Sequence, residues 1–204
     1  GGTAYTKPVD EFLTVDELID PTKANRLMLS ITKAFGRKMV DQEIYVFKNF
    51  KNPLIQKMIY EIKYNGNKST AYVLGVELGS LIKKSKNVVD FDIIIPVPVS
   101  KLKKEHRGYN QCQLIAEGIS NIIKLPVDSN YLIRNNNMNS QIKSSRYERW
   151  LNVENEYKLI KELKYDTKIL LVDDVITTGA TINSCLNAIQ KNNKLKVTVA
   201  ALAG

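Results

Sequence analysis

The chain has 204 residues, 44% of them apolar, which is enough for one buried α/β core and too few for two ordinary enzyme domains. Its two cysteines, Cys112 and Cys185, exclude a disulfide framework and a four-cysteine zinc site, and no apolar run approaches the roughly 20 residues of a membrane span. With no signal peptide either, a cytoplasmic location is expected.

The formal net charge of +9 is unevenly distributed. Residues 1–44 hold 6 basic and 7 acidic side chains, so residues 45–204 carry all of the excess positive charge. A polyanionic ligand or nucleic acid would suit this surface, and so would a lysine-rich solvated surface without a ligand. Charge alone leaves both interpretations open.

The first half of the chain predicts an accessory segment followed by the start of an α/β domain. Residues 1–44 carry a capping box at Thr14 and Glu17 and are expected to form a helical accessory segment. The principal domain, residues 45–204, should begin with a strand near 43–50. Two amphipathic helices should follow, one starting after Pro53 and one over residues 70–83.

The second half repeats a pattern of strand, loop and helix. Residues 92–97 form an apolar strand that should stop at its prolines, and the basic loop 99–111 leads into an amphipathic helix. A short strand near 131–133 precedes a long polar stretch, 134–152, of the kind that is functional or disordered. A final strand is expected at 197–201.

The run ILLVDDVITTGAT, residues 169–181, is the most informative segment. Its continuous apolar start predicts a strand buried on both faces, as in a parallel sheet, and it ends on Asp173 and Asp174. The helix after it begins near Gly179–Thr181, so the intervening loop offers unpaired N–H groups and a positive dipole end to an anion. The plainer alternative is a solvated Asp pair before an ordinary capped helix.

This run resembles the phosphoribosyl pyrophosphate (PRPP) motif of type I phosphoribosyltransferases. The resemblance implies that Asp173 and Asp174 are catalytic and hold the ribose hydroxyls, directly or through Mg²⁺ carried by PRPP. The 5′-phosphate would be bound by the loop and the helix start, which comprise Ile176, Thr177, Thr178, Gly179, Ala180 and Thr181.

Transfer from PRPP also requires a pyrophosphate site and a lid that excludes water. The loop after the 92–97 strand is the predicted pyrophosphate site, with Val99, Ser100, Lys101 and Arg107 as its residues. The polar stretch is the predicted lid, through Gln141, Lys143, Arg146 and Arg149. For the lysines, a solvated surface is the equal alternative.

Several segments together resemble the ComF family of bacterial phosphoribosyltransferase-like proteins. These are Lys63-Tyr64-Asn65-Gly66, IIPVPVS from Ile94, Arg107-Gly108-Tyr109-Asn110-Gln111, and Gln141 with SRYERWLNV from Ser145, followed by the Asp-Asp motif. The similarity covers about residues 45–204. It implies a type I phosphoribosyltransferase fold, a mainly parallel sheet flanked by helices, that binds PRPP and Mg²⁺ in a protein linked to DNA uptake in competence.

The resemblance leaves two functions open. One is an enzyme that transfers phosphoribose to an undetermined acceptor, and the other is a non-catalytic module that senses PRPP or a nucleotide, or binds single-stranded DNA. Tyr64, Tyr109, Tyr147 and Trp150 are the candidate base-stacking residues, with partial burial as their alternative. His106, the only histidine, is expected to be a solvated loop residue rather than a general base.

Members of this family usually carry an N-terminal cysteine-rich zinc module, and residues 1–44 contain no cysteine. Either that module precedes Gly1 in a longer protein, or this protein has lost it. The sequence does not determine the oligomeric state; a dimer is a guess.

Overall fold

The structure is a computed structural model that describes residues 44–48, 51–84, 90–135, 156–191 and 195–204. The predicted accessory segment lies outside these residues except for Ile44, which begins the first strand. Within them the strands are β1 (Ile44–Lys48), β2 (Ile93–Pro96), β3 (Leu132–Arg134), β4 (Tyr157–Leu159), β5 (Lys168–Val175) and β6 (Lys196–Ala203). The helices are α1 (Pro53–Tyr64), α2 (Lys68–Lys84), α3 (Lys101–Arg107), α4 (Gln111–Ile123) and α5 (Ala180–Gln190).

Four strands form a parallel sheet in the order β1-β6-β5-β2. β5 lies inside the sheet, and its residues 169–174 are all buried, as expected for an apolar run covered on both faces. β2 ends at Pro96, a residue that cannot donate to a ladder, and Val97 donates one more hydrogen bond to Val172 O (2.8 Å). The carboxyl ends of β2 and β5 therefore lie side by side.

Each face of the sheet is covered by its own apolar layer. Ile94, Leu170 and Val172 pack with α2 and α4 on one face, whereas alternate residues such as Ile95 and Leu171 pack with α5 on the other. This alternation is the two-residue period of a strand that is buried twice. None of the helices that the structure describes is long and apolar enough to cross a membrane.

Helices α2 and α4 approach one another closely because glycines line their contact. A Cβ atom at Gly75 would lie 2.2 Å from Ile115 O, and one at Gly118 would lie 2.2 Å from Tyr72 O. A larger side chain at either glycine would push α4 away from α2. It would thereby also shift α4 relative to the carboxyl end of β5.

The parallel α/β architecture confirms the predicted fold class, but two elements differ from the predictions. The segment 99–111 was predicted to be a loop, whereas residues 101–107 form helix α3, capped by Ser100 and ended by Gly108 in the left-handed region (φ 79°). Strand β4 was not predicted. It pairs antiparallel with β3, which is shifted by one residue from the predicted 131–133.

Candidate functional site

The candidate site lies where β5 and β2 end. The chain after β2 leads to α4 on one face of the sheet, and the chain after β5 leads to α5 on the opposite face. In an open parallel sheet, connections that leave in opposite directions open a crevice at the carboxyl ends of the strands, and ligands bind there.

Asp173 and Asp174 occupy the end of β5 and are both 6% exposed. Asp173 Oδ1 accepts hydrogen bonds from its neighbour's backbone N–H (2.8 Å) and from the Cys112 thiol (3.5 Å). Burial, together with the neighbouring Asp174 charge, raises the pKa of Asp173 to about 7. This carboxyl group therefore changes its protonation state near neutral pH.

Asp174 is held by two side chains from different helices. Its Oδ2 accepts a hydrogen bond from Gln111 Nε2 (2.9 Å) and forms an ion pair with Lys63 Nζ (3.1 Å). Arg107 Nη1 in turn donates to Gln111 Oε1 (2.8 Å), which fixes the amide so that its N–H faces the carboxylate. These contacts link the last turn of α1, the end of α3 and the start of α4 to the acidic pair.

The segment 107–111 is built to make these contacts. Gly108 ends α3, and its N–H bonds Lys104 O (2.8 Å). The Tyr109 hydroxyl donates to Ile62 O, which ties the segment to α1 beside Lys63. This segment therefore holds Arg107 and Gln111 in the chain of contacts that leads to Asp174, and Tyr109 fixes the segment to α1.

Asn110 joins this segment to the end of β2. Its side-chain oxygen caps α4 through Cys112 N (3.0 Å), and its Nδ2 donates to Val97 O (3.1 Å). Asn110 therefore fixes where α4 begins, and with it the position of Gln111.

The loop after the acidic pair exposes hydroxyl groups. Thr177 and Thr178 are exposed, Ile176 is buried, and Gly179 adopts a left-handed conformation (φ 78°) immediately before α5. As N-cap of α5, Gly179 has no side chain with which to cap the helix, whereas asparagine or serine caps α1, α3 and α4. Two exposed hydroxyl groups therefore lie next to the positive end of α5, an arrangement that suits a phosphate.

Ala180 and Thr181 form the first turn of α5, each partly exposed. The six residues predicted to bind the 5′-phosphate therefore lie on one continuous loop and helix start next to the acidic pair. Their contact with phosphate stays a prediction.

The predicted pyrophosphate residues lie around the start and end of α3. Ser100 Oγ accepts the Lys103 N–H as the helix cap, Val99 is partly buried, and the exposed Lys101 pairs with Glu105 (3.9 Å). Of the four predicted residues, Arg107 is connected to the acidic pair through one intervening residue: it donates to Gln111, which donates to Asp174.

A cluster of cations gathers beside these residues. Partial burial and neighbouring positive charges lower the pKa of Lys103. In order of decreasing effect, these charges belong to Arg134, Arg107 and Lys63. Arg134 also forms an ion pair with Glu156. Positive charge within electrostatic range of Lys103 thus comes from three separated parts of the chain, which would favour a bound polyanion.

The predicted lid residues Gln141, Lys143, Arg146 and Arg149 lie outside the described residues, as do Tyr147 and Trp150. Among the other candidates, Tyr109 is buried and braces α1, so its proposed base-stacking role is wrong. Tyr64 is 61% exposed, and the Arg107 guanidinium lies 5.7 Å from its ring centroid. His106 is exposed on α3, as expected for a solvated residue.

Three residues that contact the acidic pair had no predicted role in the site: Lys63, Gln111 and Cys112. Lys63 and Gln111 fall within two of the segments that carry the family resemblance, which was the available signal for them. Cys112, Asp173 and Asp174 each place a possible metal ligand atom within 4.8 Å of the other two. Carboxylate oxygens suit Mg²⁺ but a thiol does not, so this trio fits an ion that is bound mainly through a ligand's phosphates and water.

A parallel sheet whose inner strand ends on two buried acids, followed by a hydroxyl-rich loop at a helix N-terminus, defines an α/β protein with a candidate anion site at the carboxyl end of its sheet. Comparison with protein-family models finds no match. Competence protein F of Haemophilus influenzae is 33% identical over 115 residues, covering 55% of this chain and 50% of that protein. Competence protein ComFC of Bacillus subtilis is 28% identical over 151 residues, covering 70% of this chain and 56% of that protein.

The chain is similar to these two competence proteins and spans about half of the length of each. Among solved structures, adenine phosphoribosyltransferase of Leishmania tarentolae is similar, with a TM-score of 0.43 and 13% identity, covering 78% of this chain and 77% of that one.

Proposed function

We propose that this domain binds PRPP together with Mg²⁺ and transfers its phosphoribosyl group to an acceptor, in a protein that serves DNA uptake. One observation carries the proposal. Two buried carboxylates at the end of β5 lead directly into the exposed Thr177–Thr178 loop at the start of α5, and cations from α1 and α3 are connected to Asp174, one directly and one through Gln111. The similarity to two proteins named for competence supports the link to DNA uptake.

Each group has a role in this reaction. Asp173 and Asp174 accept hydrogen bonds from the ribose hydroxyls, and their negative charge favours the positive charge that develops on the sugar as pyrophosphate departs. The hydroxyl loop and the α5 N-terminus bind the 5′-phosphate. Lys103 and Arg107 attract the pyrophosphate, and Mg²⁺, when bound, supplies further charge neutralisation on its oxygens.

The alternative is a module that binds nucleotides or single-stranded DNA without catalysis. Tyr60 and Tyr64 support it, since they are 55% and 61% exposed and their ring centroids lie 4.9 Å apart, with the Arg107 guanidinium beside one ring. Aromatic rings next to cations are the usual surface for unpaired bases.

Calorimetric titration with PRPP and Mg²⁺ tests the proposal. The wild type should show saturable binding, and the double variant Asp173→Asn, Asp174→Asn should lose it, because amides cannot replace two anionic acceptors of ribose hydroxyls. Asp90→Asn, at an exposed acid, is the matched control and should bind as the wild type does. Turnover with candidate acceptors is then measured on the same proteins.

A folded wild type that binds no PRPP would refute the proposal. If that protein instead bound a single-stranded oligonucleotide, with affinity falling steeply between about 50 and 200 mM salt, the binding-module alternative would replace it.

A further inference from the structure

The contact between Lys63 and Asp174 has a consequence for how a ligand enters the site. Lys63 lies in the last turn of α1, and its Nζ is 3.1 Å from Asp174 Oδ2. The same oxygen accepts the Gln111 amide at 2.9 Å, and the other oxygen, Oδ1, accepts the Val175 N–H at 2.7 Å. A carboxylate oxygen has two lone-pair positions, so Oδ2 is fully used by the two side chains.

A ribose hydroxyl that donates to Oδ2 must therefore displace one of these donors. Gln111 is buried, and Arg107 holds its amide from the other side (2.8 Å). The Lys63 side chain is 24% exposed, whereas its partner Asp174 is 8% exposed, and the Lys63 ammonium is carried on a flexible four-carbon stem. Lys63 is the donor that can move at the lower cost.

Lys63 also has a second place to go. Its positive charge, like those of Arg107 and Arg134, lowers the pKa of Lys103 on α3, so these cations lie within electrostatic range of one another. Like charges repel within such a cluster, and an anion bound among them would draw Lys63 toward it.

We propose that Lys63 is a pyrophosphate-binding residue that pairs with Asp174 until the anion arrives, then transfers to the anion and frees Asp174 Oδ2 for a ribose hydroxyl. This inference rests on the proposed PRPP function and deepens it. It couples the two halves of the ligand, because the pyrophosphate makes the ribose site available. A ligand that carries the ribose and 5′-phosphate but no pyrophosphate must compete with Lys63 unaided.

The test compares two ligands, PRPP and ribose 5-phosphate, by calorimetry at one pH, salt and Mg²⁺ concentration. Lys63→Met keeps most of the length of the side chain and removes its charge. The variant should bind PRPP about tenfold more weakly, since a charge-assisted contact to the anion is lost. It should bind ribose 5-phosphate about threefold more tightly, because a competitor for Asp174 is gone.

Two further variants control for charge and folding. Lys83→Met removes an equal charge at the far end of α2, about 22 Å along the helix from Lys68, and should leave both affinities unchanged. Lys63→Arg keeps the charge and should retain most of the PRPP affinity and the weak binding of ribose 5-phosphate. Thermal unfolding of each variant establishes that it is folded.

The opposite signs for the two ligands distinguish exchange from simpler roles. If Lys63→Met weakens both ligands in the same proportion, Lys63 is structural and the inference fails. If it weakens PRPP and leaves ribose 5-phosphate unchanged, Lys63 binds pyrophosphate without exchange, and the inference also fails. If the folded wild type does not bind PRPP, the proposed function itself is refuted, a result separate from both.

Discussion

Asp173 should make the stability of this protein depend on pH in a way that one substitution removes. The residue is 6% exposed at the end of β5, and burial next to Asp174 raises its pKa to about 7 from an unfolded value near 3.8. At a pH between these two pKa values, Asp173 is protonated in the folded protein and ionised in the unfolded chain. Stability therefore falls as pH rises through this window, since the folded state binds more protons.

The size of this change in the free energy of unfolding depends on how much of the pH range between the two pKa values of Asp173 an experiment can cover. Each pH unit within it corresponds to about 1.36 kcal/mol, so the interval from pH 5 to pH 7 amounts to roughly 3 kcal/mol. Above pH 7 Asp173 is ionised in both states, and the loss levels off. Urea unfolding of the wild type and of Asp173→Asn at pH 5, 6, 7 and 8 measures it.

We expect the free energy of unfolding of the wild type to fall by about 3 kcal/mol more than that of Asp173→Asn between pH 5 and pH 8. Subtracting the two proteins cancels titrations that they share. Asp90→Asn, at an exposed acid, should follow the wild type. Parallel curves for wild type and Asp173→Asn would refute the argument, because a constant offset reflects packing rather than a buried proton.

Two further substitutions test how the frame around the site is held. Gly75→Ala would place a Cβ atom 2.2 Å from Ile115 O, a backbone atom. We therefore expect the free energy of unfolding, measured with urea, to fall by about 3 kcal/mol, whereas Ser80→Ala on the same helix should cost far less. Equal losses for the two variants would contradict the close helix contact. Tyr109→Phe removes the hydroxyl that bonds Ile62 O and should cost about 1 kcal/mol, with Tyr165→Phe, 78% exposed, as its near-neutral control.

The sheet and its flanking helices were predictable because their apolar residues repeat with clear periods. The strand at 169–174 is a continuous apolar run ending on two acids, and the stripe of α5 recurs at Ile182, Cys185, Leu186 and Ile189, all buried. Elements of this kind carry their own signal, since burial of one face is what forms them.

Helix α3 and strand β4 lack such a signal. α3 has seven residues, none of them buried, and depends on its Ser100 cap and on Gly108 rather than on an apolar face. β4 has three residues and is set by its pairing with β3, a contact between distant parts of the chain. Local sequence reasoning could not have found a strand that its partner defines.

The same distinction separates the two parts of the candidate site. The acids and the hydroxyl loop are contiguous in sequence, so a motif predicted them. Lys63 and Gln111 reach Asp174 from helices far away in the chain, and only the docking of α1 and α4 against the end of β5 brings them there. Lys63 and Gln111 both lie in segments that resemble the family but have no evident local role. Segments of this kind are therefore where contacts to a distant site residue should be sought.

The acidic pair departs from what stability alone would select. Two adjacent carboxylates are buried at the end of an apolar strand, and one of them has a pKa shifted against the folded state at neutral pH. A fold retains such a pair where the groups do chemical work, and the side chains around it are arranged accordingly. Lys63 and Gln111 offset the charge of Asp174, and Arg107 fixes Gln111, so the stabilising contacts of the acids are the contacts that a polyanionic sugar ligand would rearrange.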